Sequence, residues 1–285
     1  MNPPSELRVV TASGALAALA WGDPDLPPLI VLHGWLDNAA SFGRVAPLLA
    51  AHRRVIALDL PGHGHSAHLP AEARRYHFVD QIDGVLDAAD ALGLAQFDLL
   101  GHSLGAGIAA MVAAATPARI GRLALIEGLG PLADGEADTL RRWREAYAPR
   151  GVRRRSPRIF PTVEDAVAAR VAAGGGLAAD EVRPIVERNL EAVADGFAWR
   201  SDTRLRRATP LRAAEAQVRH VIAGIVAPTL LLLADPATPY LPTAVMSGRA
   251  ACVPHITVAR VTGPHHLHIR HPEAVAARLT RFLDT

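Results

Sequence analysis

The chain has 285 residues, half of them hydrophobic and a fifth charged, a balance that suits an ordinary globular protein with one large core and room for an insertion. Its basic side chains are all Arg, 30 against 28 acidic residues, and a net charge of +2 without a concentrated basic face excludes a nucleic-acid-binding class. The lone Cys252 excludes an internal disulfide, and neither a signal peptide nor an apolar run of ~18–20 residues is present, so the expectation is a cytoplasmic protein, monomer or homodimer, with no membrane partner.

In chain order, residues 7–11 and 16–21 read as a hairpin-like pair of strands joined through Ala12-Ser13-Gly14. Leu29-Ile30-Val31-Leu32 is a continuous apolar run, the signature of a parallel strand covered on both faces, and it stops at His33-Gly34-Trp35. Residues 41–51 have helical character, and 54–58 form another buried strand that runs into Asp59-Leu60-Pro61-Gly62-His63-Gly64-His65-Ser66. A helix is expected over 79–92, a strand from Phe97, an Ala-rich helix after Ser103, and a strand over 122–126 that ends at Glu127. Between 128 and 226 strand-like runs vanish. This stretch holds 17 Arg against 13 acidic residues, net +4, while the remainder is −2. It reads as an all-helical insertion, with Gly174-Gly175-Gly176 as a joint between helices. Strands resume at 228–233 and 255–261, and a helix over 272–283 closes the chain. Alternating strands and helices, interrupted once, predict a mostly parallel sheet with a cap: a core of 1–127 plus 227–285, and a cap of 128–226.

The chemistry centres on Gly101-His102-Ser103-Leu104-Gly105, set between a strand and a helix. A nucleophile on a sharp strand-to-helix turn needs small neighbours two residues either side, because strand and helix crowd together there. Such a turn lifts the Ser103 hydroxyl above the sheet and aims the Leu104 N–H at a reacting carbonyl oxygen.

Four motifs in order, His33-Gly34-Trp35, Asp59-x-x-Gly62-x-Gly64-x-Ser66, Gly101-x-Ser103-x-Gly105 and a late loop containing His265, make the chain resemble the α/β-hydrolase fold enzymes along nearly its whole length. The Trp199-to-Leu205 segment and the loop Gly263-Pro264-His265-His266-Leu267-His268 look most like the serine hydrolase-like proteins. The resemblance implies a base seven residues before the Pro that opens the closing helix, which is His265 relative to Pro272, with His266 as runner-up. It implies an acid on the loop after the first post-cap strand, but the corresponding position is Ala237; Asp235 lies two residues earlier. In related capped enzymes the acid stands at the end of the sixth strand, where this chain has Glu127, and Glu127 is the preferred candidate with Asp235 as the alternative. Backbone N–H groups of Trp35 and Leu104 are the expected oxyanion donors. His33, Gly34, His102 and Trp143 are the candidate substrate contacts, and the Trp35 ring either joins the acyl pocket or packs in the core.

These residues together predict a serine hydrolase that cleaves a carboxylic ester or thioester of a mainly apolar small molecule through an acyl-enzyme, without cofactor. The alternatives are a non-catalytic ligand-binding protein, or hydrolysis of a lactone, amide or C–C bond. A dinucleotide site at Gly101-x-x-x-Gly105-x-Gly107 is disfavoured by its place after the fifth strand and by the absence of Lys. A metal site from His265, His266, His268 and His271 is disfavoured because the run lacks Cys and a nearby acidic partner. No metal is expected.

Overall fold

The structure, a computed structural model, describes residues 3–12, 14–148 and 158–285. The hairpin's Ser13 and positions 149–157 of the expected cap lie outside the described residues. The first six strands are β1 (Ser5–Thr11), β2 (Gly14–Trp21), β3 (Pro28–Leu32), β4 (Arg54–Leu58), β5 (Phe97–His102) and β6 (Ile120–Ile126). Between them run α1 (Ala46–Leu49), α2 (Phe78–Ala91) and α3 (Leu104–Ala115). The expected helix over 41–51 is a 3-10 turn at Ala39–Phe42 followed by α1 alone, with a break at Gly43.

The insertion contains α4 (Thr139–Tyr147), α5 (Val163–Ala172), α6 (Ala179–Arg188) and α7 (Glu215–Ile222). It is not all-helical. Strands β7 (Ile159–Phe160), β8 (Leu190–Val193) and β9 (Gly196–Trp199) form a small antiparallel sheet in the order β7-β9-β8. These strands, of two to four residues, are too short to show a two-residue hydrophobic alternation. The β8–β9 turn is Ala194-Asp195, and Gly196 opens β9 at φ 134°, where a Cβ would lie 2.2 Å from the Phe160 carbonyl of β7. Gly174, Gly175 and Gly176 connect α5 to α6, all three at positive φ.

The chain then returns to the large sheet through β10 (Thr229–Asp235), α8 (Thr243–Ala250), β11 (Ile256–Thr262), α9 (Leu267–Arg270) and α10 (Pro272–Leu283). The eight strands lie in the order β1-β2-β4-β3-β5-β6-β10-β11, parallel except at β2. Successive residues of one strand feed opposite cores. Ile30 and Leu32 pack in the cluster beneath α2, α3 and α7, whereas Leu29 and Val31 pack with α1 and α10. Each such buried side chain contributes ~1.5–3 kcal/mol, which is why the strands read as unbroken apolar runs.

A third cluster sits in the cap, where Phe160, Val167, Leu177, Val182, Ile185 and Val186 surround Ile269 of α9. Polar contacts fix the same dock: Arg188 reaches the buried Asp59 at 2.9 Å and Asn38 Nδ2 donates to the Ile185 carbonyl at 2.8 Å. Among the described residues no helix is long and apolar enough to cross a membrane.

Candidate active site

In the sheet order, the chain turns back at β3: β4 lies on one side and β5 on the other. The carboxyl ends of parallel strands at such a reversal form the crevice where this kind of fold carries its ligands. The ends of β3, β5, β6, β10 and β11 bring His33-Gly34-Trp35, Ser103, Glu127, Thr238 and His265 to that edge.

The turn after β5 shows why its glycines are needed. A Cβ on Gly101 would lie 2.3 Å from the Gly105 carbonyl oxygen, and one on Gly105 would lie 2.2 Å from that of Leu32. Any side chain at either position drives strand and helix apart. Ser103 is forced to φ 52°, ψ −112°. Among the described residues only Leu36, Ser103 and Glu127 are non-glycine residues at positive φ, and all three sit on this edge. Strain of ~1–3 kcal/mol per residue, concentrated at one edge, marks a site that its surroundings over-determine.

Glu127 follows β6 and is buried. Its Oε2 meets His265 Nδ1 at 2.9 Å and accepts from the Thr238 hydroxyl, while Oε1 accepts from the Ala234 N–H at 2.6 Å. Burial pushes the carboxyl pKa up, but the hydrogen bonds from His265, Thr238 and Ala234 outweigh it and hold Glu127 below its ordinary value. It is therefore an anion at neutral pH, facing an imidazole N–H. Asp235 is exposed, and among the described residues no contact of its carboxylate with His265 is formed. Arg141 and Arg142 pair with Asp138, Glu145 and Asp134, leaving Glu127 to the histidine.

Among the described residues no hydrogen bond joins the Ser103 hydroxyl to His265 Nε2, and neither atom is taken up by a bond elsewhere; the only side-chain hydrogen bond of His265 there is that of Nδ1 to Glu127. Leu104 is the first residue of α3, so its N–H has no intrahelical partner, and the helix dipole adds positive potential there. Tyr240, which the sequence reading did not single out, packs edge-on against the His265 ring at 5.3 Å and is 53% exposed. It belongs to a proline-punctuated loop after β10, with no periodicity to flag it.

Other expected site residues fall elsewhere. His33 is fully buried; its Nδ1–H donates to the Gly34 carbonyl at 2.7 Å and its Nε2 accepts from the Leu60 N–H at 3.0 Å. Desolvation lowers its pKa, so it is a neutral brace between two loops and not a substrate contact. His102 is also fully buried, with desolvation the main cause of a pKa well below normal, and it lies under the site. Trp143 is an exposed residue stacked on Tyr147 at 5.5 Å, with no hydrogen bond or ring contact to His265 among the described residues. The Trp35 ring is not core: it is 53% exposed, and its Nε1–H donates to the cap carbonyl of Leu205 at 3.3 Å. Gly34 stays at the crevice floor, where a Cβ would lie 3.0 Å from His102 Nδ1. His266 turns away from Glu127 to Asp37, with Nε2 to Oδ2 at 3.1 Å. A cavity of about 440 Å³ lined by Asp134, Thr139, Arg142, Leu211 and Gln217 lies in the cap and includes none of Ser103, Glu127 and His265.

Residues 27–172 match the model of the alpha/beta hydrolase fold family. A serine hydrolase-like protein of Dictyostelium discoideum is 31% identical across 94% of this chain and 78% of its own length. One of Danio rerio is 29% identical across 98% and 88%. The crystal structure of a hypothetical protein of Pseudomonas aeruginosa superposes with a TM-score of 0.91 at 37% identity, covering 98% of this chain and 99% of that one. The chain belongs to the α/β-hydrolase fold family, close to its serine hydrolase-like members.

Proposed function

We propose that the protein is a serine esterase or thioesterase that works through an acyl-enzyme, with Ser103, His265 and Glu127 as its catalytic residues. The observation that carries this reading is the 2.9 Å contact between His265 Nδ1 and the buried Glu127 carboxylate on the strand edge that also bears Ser103. With the Nδ1 proton fixed on Glu127, Nε2 keeps a lone pair. It takes the Ser103 proton as the hydroxyl oxygen attacks the substrate carbonyl, and the imidazolium that results is stabilised by the glutamate. The oxyanion is held by the Leu104 N–H, at the positive end of α3, and by the Trp35 N–H. His265 then protonates the leaving alcohol or thiol. Water, activated by the same imidazole, releases the acid and restores Ser103.

Exposed rings of Trp35 and Tyr240 beside the crevice favour a mainly apolar acyl group, and no cofactor enters the scheme. The test is a panel of p-nitrophenyl esters and acyl thioesters of graded chain length, run on the native protein and on Ser103→Ala, with fluorophosphonate labelling in parallel. Turnover and labelling that both vanish in the variant support the reading. A native protein that neither turns over any ester nor takes the label is a ligand-binding member of the fold.

A further inference from the structure

Beside the catalytic residues lies a second cluster that the proposed reaction does not use. His102, at the end of β5, has its Nε2 3.1 Å from the His265 carbonyl oxygen. A carbonyl only accepts, so Nε2 carries the proton and Nδ1 is left as a lone pair. That Nδ1 is fully buried and has no hydrogen-bond partner among the described residues. An unmet acceptor in the interior costs ~1–3 kcal/mol and calls for an occupant.

What faces it is a set of donors suited to a cation. A Cβ on Gly34 would lie 3.0 Å from His102 Nδ1 and 3.1 Å from Asp37 Oδ2, so both atoms look onto one small space above that glycine. His266 Nε2 is 3.1 Å from the same Asp37 oxygen. One ligand atom from each of Asp37, His102 and His266 lies within 4.8 Å of the other two. Tetrahedral zinc with bonds of about 2.0–2.1 Å spaces its ligands roughly 3.3 Å apart, so each donor need move inward by no more than about 1 Å. The carboxylate is already oriented: Arg170 of the cap binds Asp37 Oδ1 at 3.0 Å, so that Oδ2, which among the described residues only His266 meets, is the oxygen turned to the cluster.

We propose that Asp37, His102 and His266 form a binding site for one divalent transition-metal ion of the zinc type. The ion takes the place of the proton that His266 Nε2 presents to Asp37, and in the neutral ring that proton moves to Nδ1. A water molecule completes the coordination. Because His102 also holds the His265 carbonyl and His266 is its chain neighbour, occupancy fixes the backbone that carries the catalytic base. This consequence, inhibition of turnover, rests on the proposed function; the binding itself does not.

The experiment uses untagged protein freed of metal by dialysis against a chelator. Titration with Co2+ gives visible ligand-field bands that saturate at one ion per chain and are bleached by one equivalent of Zn2+, identically in the native protein and in Ser103→Ala. His266→Gln and Asp37→Asn each weaken binding at least about tenfold, with folding checked by circular dichroism. In Zn2+-soaked crystals of the native chain, the anomalous peak lies about 2.0–2.2 Å from the three donor atoms. Absence of stoichiometric Co2+ bands, bands unchanged in both variants, or a peak at surface histidines overturns the site. Zn2+ inhibition of the native esterase that disappears in His266→Gln, each rate taken relative to its own metal-free value, tests the coupling. Binding intact in a chain without esterase activity sinks the functional reading and leaves the site standing.

Discussion

His265 and His266 are neighbours in sequence, each in contact with a buried carboxylate, yet they are built for different work. His265 gives its Nδ1 to Glu127 and leaves Nε2 toward the crevice. His266 gives its Nε2 to Asp37, and its Nδ1 is buried without a hydrogen-bond partner among the described residues, 3.8 Å from where a Cβ on Gly175 would stand. The two acids differ as much. Glu127 accepts only from core residues, on strand-end backbone at φ 56°. Asp37 is shared with Arg170 across the joint between core and cap. An imidazole–carboxylate contact does not by itself make a base. The nitrogen that remains and the space it faces decide that.

The largest effect that would sharpen this contrast is the loss of the Glu127 charge. Glu127→Gln presents an amide that donates to Nδ1 and locks the other tautomer, so Nε2 carries the proton and cannot take one from Ser103. The expected loss in kcat is about 10³–10⁴-fold, read with the best ester of the panel. Asp37→Asn, in the same assay, lowers kcat far less. If the ranking were reversed, His266 would be the base and the roles of the two histidines would have to be exchanged.

The second effect is on stability and belongs to the other histidine. Asp37→Asn leaves Arg170 without its carboxylate in a largely enclosed position, at an expected cost of about 2 kcal/mol, or a fall in Tm of roughly 5 °C. The sign of its pH dependence follows from the direction of the shift. Burial raises the Asp37 pKa, but the hydrogen bond and charge of His266 and the contact with Arg170 outweigh it, so the folded carboxyl lies well below its ordinary value. Its stabilisation is full above the ordinary carboxylate range and fades as the pH falls through the depressed value. The gap in Tm between the native protein and the variant therefore narrows on acidification. A gap that widens toward low pH would mean that the carboxyl is not held as an anion.

A smaller effect tests how Glu127 is held. Thr238→Val removes one of three donors to its carboxylate while keeping the shape of the side chain. A hydrogen bond to a charged group is worth about 1.5–3 kcal/mol. Thermal unfolding at neutral pH should show a loss near the lower end of that range, since the Ala234 N–H and His265 remain. No change would indicate that the threonine hydroxyl is better satisfied by solvent than by the glutamate.

What the sequence made legible follows the distance over which its constraints act. The elbow is written in five consecutive residues because its sterics are local, and Glu127 is marked by standing directly after an apolar strand. The strands of the large sheet are legible for the same reason: Leu29 to Leu32 are apolar throughout because both faces are covered. The pairing of Asp37 with His266 spans 229 residues and arises from the sheet order, so the late histidines read as lacking an acidic partner. Trp35 illustrates a different limit. The sequence leaves its ring open between acyl pocket and core, and only the structure removes the core, because the ring is exposed with its indole N–H on the Leu205 carbonyl. In the cap, strands of two to four residues carry too little periodicity to compete with the helical spacing around them.

The smallest expected effect is the most direct attempt to break the assignment of Glu127. Asp235 ends β10, near the place where the resemblance leads one to look for the acid, and in the parallel ladder it lies opposite Thr262, just before the His265 loop. Its backbone does take part, since its carbonyl accepts from the Gly263 N–H at 3.1 Å, but its side chain is exposed. Asp235→Asn keeps the backbone bond and removes only a solvated charge. It should leave kcat/KM within about twofold and stability within about 0.5 kcal/mol, as surface substitutions do. A loss of a hundredfold or more would mean that the loop rearranges on substrate binding to bring Asp235 onto His265. Glu127 would then be a structural anion that anchors Thr238 and the end of β10.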